Sequence, residues 1–253
     1  MKKKIYAAAV MLFAFAAPFV FVACDDDDDD AEESSSSSSS NSSSSNSTDD
    51  NSSSGSTSTT AGTAVDLGLS VKWSSKNIGA AGPADYGYYY SWGETETSDE
   101  YSDYYTSTWT VSDIGDISGN ATYDAATANW GSKWRMPTYV EIEELIDDCT
   151  WTYTTQENSK GVDTYGFLVE GSNGNSIFLP EAGQCVDTNF AEGAGYYWSS
   201  SSDYYYYYSK IGDDNLENYG KNACVLILNK GTSKCYLVTL ERYYGFTIRP
   251  VAD

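Results

Sequence analysis

The sequence contains no histidine. This absence removes the usual general base near neutral pH, the Ser-His and Cys-His nucleophile pairs, and the commonest protein ligand for metal ions. Most familiar hydrolase mechanisms are therefore excluded. We expect a protein that binds something and is not an enzyme.

Basic residues are also scarce, with 14 Lys and Arg against 37 Asp and Glu in 253 residues. A surface of that sign repels phosphate backbones and anionic lipid headgroups, so we expect no nucleic-acid partner and no membrane binding by charge. Aromatic residues are abundant by contrast. The 23 tyrosines offer large contact areas and hydroxyl groups at little entropic cost, which favours a role in recognition.

Residues 1–23 have the pattern of a bacterial lipoprotein signal peptide. Three lysines at positions 2–4 precede an apolar run that Pro18 interrupts and that is marginal as a membrane span. The run ends in Phe21-Val22-Ala23-Cys24, which resembles a lipobox and makes Cys24 the predicted lipidation site. A soluble secreted protein with a spare cysteine is the alternative.

Residues 24–62 are predicted to form a disordered acidic and serine-rich tether. The six aspartates at positions 25–30 resemble the surface-export signal of Bacteroidetes-type lipoproteins, although a solvated start to a stalk has the same composition. The segment that follows has almost nothing apolar and cannot offset its ordering entropy. We expect a lipid anchor in the outer membrane and one domain, residues 63–253, facing the cell exterior.

The domain is expected to belong to the α+β class, with two helices and several short antiparallel strands. The capping box of Thr138 and Glu141 precedes an apolar face of Ile142, Leu145, Ile146 and Cys149, which predicts one helix. A shorter helix is expected over about 123–129. The predicted strands cover residues 69–73, 88–92, 165–169, 176–179, 195–199, 224–228, 235–240 and 244–249, with hairpin loops at 171–175 and 229–233.

Five motifs occur in order along the domain. They are Ala64-Val-Asp-Leu-Gly-Leu-Ser-Val-Lys-Trp73, Tyr86-Gly-Tyr-Tyr-Tyr-Ser-Trp-Gly-Glu94, Trp134-Arg-Met-Pro-Thr138, Gly195-Tyr-Tyr-Trp-Ser-Ser200 and Tyr244-Gly-Phe-Thr-Ile-Arg-Pro-Val251. In these motifs the chain resembles the Fibrobacter succinogenes major paralogous domain, which is found in lipoproteins of gut and rumen bacteria. The resemblance covers nearly all of residues 64–253. It implies a C-type-lectin-like fold, related in plan to formylglycine-generating enzymes and to the variable proteins of diversity-generating retroelements.

The motif residues themselves are mostly structural in character. We predict that Trp73, Trp92, Trp134 and Trp198 are core or loop-packing residues. Arg135 and Arg249 are expected to satisfy buried carbonyl groups or a carboxylate such as Glu94.

The domain contains four cysteines, and an oxidising compartment favours disulfides with three alternative connectivities. Cys224 and Cys235 flank the second hairpin and are predicted to pair across it, which leaves Cys149 to pair with Cys185. Free buried thiols are the alternative. The spacing of Cys224 and Cys235 also departs from the closely spaced cysteine pair of formylglycine-generating enzymes, which argues against that chemistry.

An acidic loop follows the tyrosine-rich segment. Its oxygen-bearing side chains, Asp213, Asp214, Asn215 and Asn218, suit calcium chemically but lack the spacing of an EF-hand. An ordinary solvated acidic loop is the alternative, and no other cofactor is expected.

The run of Tyr204, Tyr205, Tyr206, Tyr207 and Tyr208 is the main functional feature of the sequence. In a strand alternate side chains point to opposite faces, so some of these rings are expected at the surface. Exposed Tyr among Ser, Asp and Asn is typical of paratopes and of sugar-stacking surfaces. With Arg242 and Tyr243, this segment also has the composition and position of a retroelement-diversified binding face. A tyrosine-covered edge strand is the alternative.

The leading hypothesis is therefore an adhesin-like surface lipoprotein that binds an external glycan or protein ligand. Two rivals remain open. One is a structural component of the cell envelope or of fimbriae. The other is a carbohydrate-active enzyme that uses paired carboxylates.

Overall fold

The computed structural model describes residues 60–110, 114–211, 220–229 and 234–253. The helices are α1 (Ala125–Trp130), α2 (Tyr139–Asp148) and α3 (Asp203–Ile211), and a 3-10 turn covers Ser107–Thr110. The strands are β1 (Ala64–Val65), β2 (Lys72–Ser74), β3 (Thr150–Glu157), β4 (Asp163–Glu170), β5 (Ser176–Pro180), β6 (Gln184–Val186), β7 (Asn189–Ala191), β8 (Gly195–Ser202), β9 (Asn222–Asn229), β10 (Lys234–Glu241) and β11 (Val251–Ala252).

The strands form small antiparallel sheets. Three sheets have three strands each, in the orders β1-β2-β11, β3-β4-β5 and β10-β9-β8, and β6 pairs with β7. The expected α+β class with several short antiparallel strands is confirmed. Both predicted hairpins, β4–β5 and β9–β10, are present as antiparallel pairs.

Helix α2 begins where its capping box predicts. The Thr138 hydroxyl accepts a hydrogen bond from the Glu141 amide, and the Glu141 carboxylate accepts one from the Thr138 amide at 2.8 Å. These bonds satisfy two of the free amide groups of the first turn. The helix buries Ile142 and Leu145 against the core, and it packs on the β8–β9–β10 sheet.

Strand β9 is buried on both faces and separates two hydrophobic clusters. Leu226 and Leu228 belong to one cluster, whereas Val225 and Ile227 belong to the other. This division follows from the alternation of side chains along a strand. The four predicted core tryptophans are all buried: Trp73 lies in the first cluster, Trp92 and Trp198 lie in the second, and Trp134 is buried as well.

The two motif arginines are structural, as predicted. Arg249 is fully buried and donates to the side chain of Asn77 at 2.7 Å, to the Ser74 carbonyl at 3.0 Å and to the Phe178 carbonyl at 2.8 Å. Burial lowers the pKa of its guanidinium to about 10. Arg135 instead forms ion pairs with the carboxylates of Glu141 at 2.6 Å and Asp253 at 3.0 Å. Glu94 is not its partner.

The third helix was not expected. The tyrosine run at 204–208, predicted as a strand, lies within α3. The hydroxyl of Ser202 accepts a hydrogen bond from the Tyr205 amide at 3.2 Å, which caps the helix. Asp203 lies in the first turn and Lys210 in the last, and both charges suit the helix dipole.

Some predicted strands are irregular segments in the structure. Residues 88–92 and 244–249 are joined mainly by the isolated bridge between Tyr90 and Phe246. Strand β3, by contrast, was not predicted. It pairs with β4 along its whole length, from Thr150 opposite Glu170 to Glu157 opposite Asp163.

The predicted disulfides are absent, and all four cysteines of the domain are free thiols. Cys224 is opposite Thr239 in the β9–β10 pair, whereas Cys235 is opposite Leu228. The two cysteines are thus four residues apart along the ladder, or about 13 Å. A disulfide requires Cα atoms within about 7 Å, so this register excludes the Cys224–Cys235 bridge.

No helix in the described ranges is long and apolar enough to cross a membrane.

Candidate functional site

Helix α3 places some of the predicted ligand-binding tyrosines at the surface. Tyr205 is 43% exposed, and Tyr206 and Tyr207 are half-buried. The rings of Tyr205 and Tyr206 both meet the ring of Tyr139 on α2, with centroids 6.1 and 5.1 Å apart. Tyr204 and Tyr208 lie in the same helix. Tyr205, Tyr206 and Tyr207 therefore lie on a helix surface, and the rings of Tyr205 and Tyr206 contribute to the packing of α3 on α2.

Arg242 is not part of that surface. It is fully buried, with its guanidinium 4.3 Å from the ring centroid of Trp92 and its Nε donating to the Asn222 carbonyl at 3.3 Å. We therefore withdraw Arg242 as a ligand-binding residue. Its neighbour Tyr243 is half-buried and donates to the Glu241 carboxylate at 2.6 Å.

Other predicted site residues lie outside the described residues. They are Cys24, Asp213, Asp214, Asn215 and Asn218. Within the part of the chain that the structure describes, no group of three or more His, Cys, Asp or Glu side chains is placed to hold a metal ion.

A cleft of about 860 Å³ lies away from α3. Its walls come from the loop 79–87, from the β3–β4 hairpin and from the ends of β5 and β7. This volume is in the range of pockets that hold small ligands. The cleft is open to solvent, and none of its lining residues was predicted from the sequence to be a binding residue.

Two parallel tyrosine rings form part of the cleft wall. Tyr153 on β3 and Tyr165 on β4 stack with centroids 6.0 Å apart and an angle of 10° between the ring planes. Tyr153 also meets the buried ring of Phe167 edge-on at 5.2 Å, and Phe167 meets Trp151 at 5.9 Å. The four aromatic side chains thus run from the core to the open cleft, where Tyr165 is 53% exposed.

The cleft is acidic. Asp85, Asp163, Glu181 and Glu192 contribute four carboxylates to the lining, against the single ammonium group of Lys160. Glu181 is the most deeply placed, at 7% exposure, and its carboxylate accepts a hydrogen bond from the Tyr153 hydroxyl at 3.1 Å.

Two phenol groups of the cleft, those of Tyr153 and Tyr86, have raised pKa values. Burial, together with the charge of Glu181 and its hydrogen bond, raises the pKa of Tyr153 to about 12. Burial also raises the pKa of Tyr86, and the negative charges of Glu192 and Glu181 raise it further. Both hydroxyls therefore remain hydrogen-bond donors at neutral pH.

Asp85 joins two walls of the cleft. One of its oxygens accepts from the Gly82 amide at 2.6 Å, and the other accepts from the amide and hydroxyl of Ser159, at 3.1 and 2.9 Å. The Ser159 turn is in turn ordered by the Asn158 side chain, which accepts from the amides of Lys160 and Val162. The cleft is therefore preformed by polar contacts.

One sequence signal could have located the β3–β4 hairpin. Trp151, Tyr153 and Thr155 alternate with other residues before the Asn-Ser-Lys-Gly turn at 158–161. This is a hairpin signature of the same kind as the two that were predicted. The remaining cleft residues are distant in the sequence and could not be grouped without the fold.

The described elements define an α+β domain with small antiparallel sheets, a concave aromatic and acidic cleft, and a separate convex tyrosine helix. No protein-family model, curated protein or solved structure matches the chain. The inference of function therefore depends on the residues of the cleft and of α3.

Proposed function

We propose that this protein is a surface lipoprotein whose domain binds an external saccharide in the cleft. The observation that carries the proposal is the exposed ring of Tyr165, stacked on Tyr153 and set in the wall of a preformed cleft. Sugar rings have apolar faces that pack on tyrosine, and their hydroxyl groups bond to carboxylates and phenols. Both kinds of group are present here.

The wider setting is part of the same proposal. A signal peptide ending at Cys24 and an acidic tether would anchor the domain at the outer membrane and display it to the exterior. A C-type-lectin-like plan, with or without retroelement diversification, is in keeping with such a role. Radiolabelled palmitate incorporation that is lost in Cys24→Ser tests the anchor. A genomic locus with neither a template repeat nor a reverse transcriptase would end the diversification idea.

A glycan array probed with the full chain tests saccharide binding. We expect saturable binding that falls about tenfold in Tyr165→Ala, since the loss of one stacked ring costs roughly 1–1.5 kcal/mol. Tyr205→Ala is the matched control, because it removes an exposed tyrosine of similar accessibility outside the cleft. Equal losses in the two variants, or no binding to any glycan, would contradict the proposal.

A protein partner on helix α3 is a second candidate function. The convex shape of α3 and its exposed Tyr205 favour contact with a flat protein surface over contact with a sugar. This candidate includes the role of an envelope or fimbrial component. A stoichiometric partner that is retained by Tyr165→Ala and lost in Tyr205→Ala would support it.

The alternative of a carbohydrate-active enzyme has two candidate carboxylates in the cleft, because Glu181 and Glu192 both line it. Glycosidases use two carboxylates that flank the scissile bond. Turnover of a bound oligosaccharide that is abolished in Glu192→Gln would show that the protein is a hydrolase. We expect binding without turnover.

A further inference from the structure

The charge of the cleft restricts what kind of saccharide it accepts. Its four carboxylates come from separate segments of the chain: the loop before Tyr86, strand β4, the end of β5 and the end of β7. Among the residues that the structure describes, Lys160 is the only basic side chain in the lining. Because these charges converge on one concavity, their fields add there and are screened less than on a flat surface.

Burial strengthens the negative electrostatic field at the inner end of the cleft. The Glu181 carboxylate lies at 7% exposure beside the Tyr153 hydroxyl, where the effective dielectric constant is lower than in bulk water. Glu192 is exposed at the rim. Both carboxylates act on the Tyr86 phenol, and burial together with these two charges raises its pKa. The region around the Tyr86 hydroxyl is therefore strongly negative.

The aromatic residues of the cleft also favour a positively charged ligand. The faces of tyrosine rings carry partial negative charge and attract ammonium groups that approach them. Tyr86, Tyr153 and Tyr165 all line the cleft. A cation that enters it would therefore meet ring faces as well as carboxylates, whereas an anion would meet repulsion from both.

From this arrangement we infer that the cleft takes a saccharide that carries a positively charged amine. The sugar ring packs on Tyr165, and the ammonium group is directed towards Glu181 and Glu192. This inference depends on the proposed saccharide-binding function and names the ligand class for the same site. A lysine-rich peptide shares the charge but lacks a rigid ring with an apolar C–H face that can pack on the exposed ring of Tyr165, which is stacked on Tyr153.

Calorimetric titration of the full chain with three oligosaccharides of equal length tests the inference. The probes are a glucosamine tetramer, its fully N-acetylated neutral form and a tetramer of galacturonate. We expect the glucosamine tetramer to bind about tenfold more tightly than the neutral form, with the galacturonate weakest of the three. The preference should shrink in 1 M salt, where the Debye length is about 3 Å.

Charge-neutralising variants assign the preference to the cleft. Glu192→Gln should reduce the preference for the glucosamine tetramer over its N-acetylated form about threefold to tenfold. Glu170→Gln is the matched control, because Glu170 is exposed at the other end of β4 and outside the cleft lining. Since Glu192 is exposed, its substitution should not impair folding, in contrast to Glu181→Gln.

Each outcome has a defined meaning. Equal affinity for the amine and N-acetylated tetramers, or equal effects of Glu192→Gln and Glu170→Gln, would overturn the inference and leave saccharide binding intact. Binding to none of the three probes, and to no glycan on the array, would remove the proposed function itself. A lysine octapeptide that binds more tightly than the glucosamine tetramer would also overturn the inference.

Discussion

The rings of Tyr153 and Tyr165 lie on paired strands, whereas Tyr205, Tyr206 and Tyr207 lie on a helix. Behind the first pair is the buried ring of Phe167, which belongs to the hydrophobic core. In the second group, Tyr205 and Tyr206 meet the ring of Tyr139 on the neighbouring helix α2. The same residue type thus forms a concave wall backed by the core in one place and a helix surface that meets a second helix in the other.

This difference shows why tyrosine content alone did not locate the site. Alternation along a strand places every second ring on one face, so that two tyrosines and a phenylalanine can form one continuous wall. A helix spreads five consecutive tyrosines around its axis, and only some of them can face a given partner. A pair of tyrosines in strands can therefore be better organised for binding than a run of five.

The largest expected effect tests whether the cleft wall depends on the core. Phe167→Ala should lower the free energy of unfolding by about 3–5 kcal/mol, because it removes a buried aromatic side chain and leaves a cavity behind Tyr153. Tyr205→Ala should lower it by about 1 kcal/mol or less. Urea unfolding followed by tryptophan fluorescence measures both. Similar losses in the two variants would mean that α3 is supported as firmly as the cleft.

The next prediction concerns the polar contacts between the cleft walls. Asp85→Ala should lower the free energy of unfolding by about 1–3 kcal/mol, because the amides of Gly82 and Ser159 lose a charged acceptor. Hydrogen exchange should rise in the turn at 158–162 and stay unchanged in α3. Asp85→Asn keeps one oxygen acceptor and should have a smaller effect. Faster exchange in α3 would instead show that the two regions are coupled.

Thiol labelling measures how often α3 opens. Cys224 is fully buried on β9, which packs against α3, and burial together with the charge of Asp203 raises the pKa of its thiol. Tyr206→Ala weakens the contact with Tyr139, so we expect iodoacetamide to label Cys224 about tenfold faster, equivalent to 1.4 kcal/mol. Peptide mass spectrometry distinguishes the four cysteines.

Cys185 is the internal control for that experiment. It lies on β6, is half-buried, and its amide donates to the Gly245 carbonyl at 2.9 Å. Its labelling rate should be the same in both proteins. A common increase at Cys185 and Cys224 would indicate global destabilisation, and an unchanged rate at Cys224 would show that α3 does not control its access.

Local signals predicted a large part of the fold. The capping box located α2, turn residues located the β4–β5 and β9–β10 hairpins, and aromatic burial located Trp73, Trp92 and Trp198 in the core. Each of these depends on residues close together in the sequence or on the general cost of exposing a large ring.

The errors have two causes, one local and one long-range. Tyrosine has a high strand propensity, so five tyrosines in a row led to the prediction of a strand. The helix signals of Ser202 and Lys210 were not weighed against it. Packing of the run on Tyr139 favours the helix instead. Prediction of the cleft would have required knowledge of contacts such as that between Asp85 and Ser159, which are 74 residues apart. No local pattern brings such residues together.

The smallest expected effect tests the ionic contact between α3 and α2. The Lys210 ammonium lies 2.7 Å from the Glu143 carboxylate and 5.5 Å from the ring centroid of Tyr139. Because the side chain is partly exposed, Lys210→Met should lower the free energy of unfolding by only about 0.5–1 kcal/mol, and by less in 1 M salt. Lys210 is not part of the cleft lining, so ligand affinity should not change.

The pH dependence of the stability lost in Lys210→Met tests whether the ion pair with Glu143 is the cause of that loss. Burial lowers the pKa of Lys210, but the hydrogen bond and charge of Glu143 outweigh that effect and raise the pKa above its ordinary value of 10.5. The ion pair therefore stabilises the fold fully below pH 10.5, and the contribution disappears as the pH rises through the folded-state pKa. Unfolding measured at pH 7 and at several pH values above 10.5 should show a difference between wild type and Lys210→Met that decreases as the pH rises. A difference that does not decrease would mean that the charge of Lys210 is not the origin of the stabilisation.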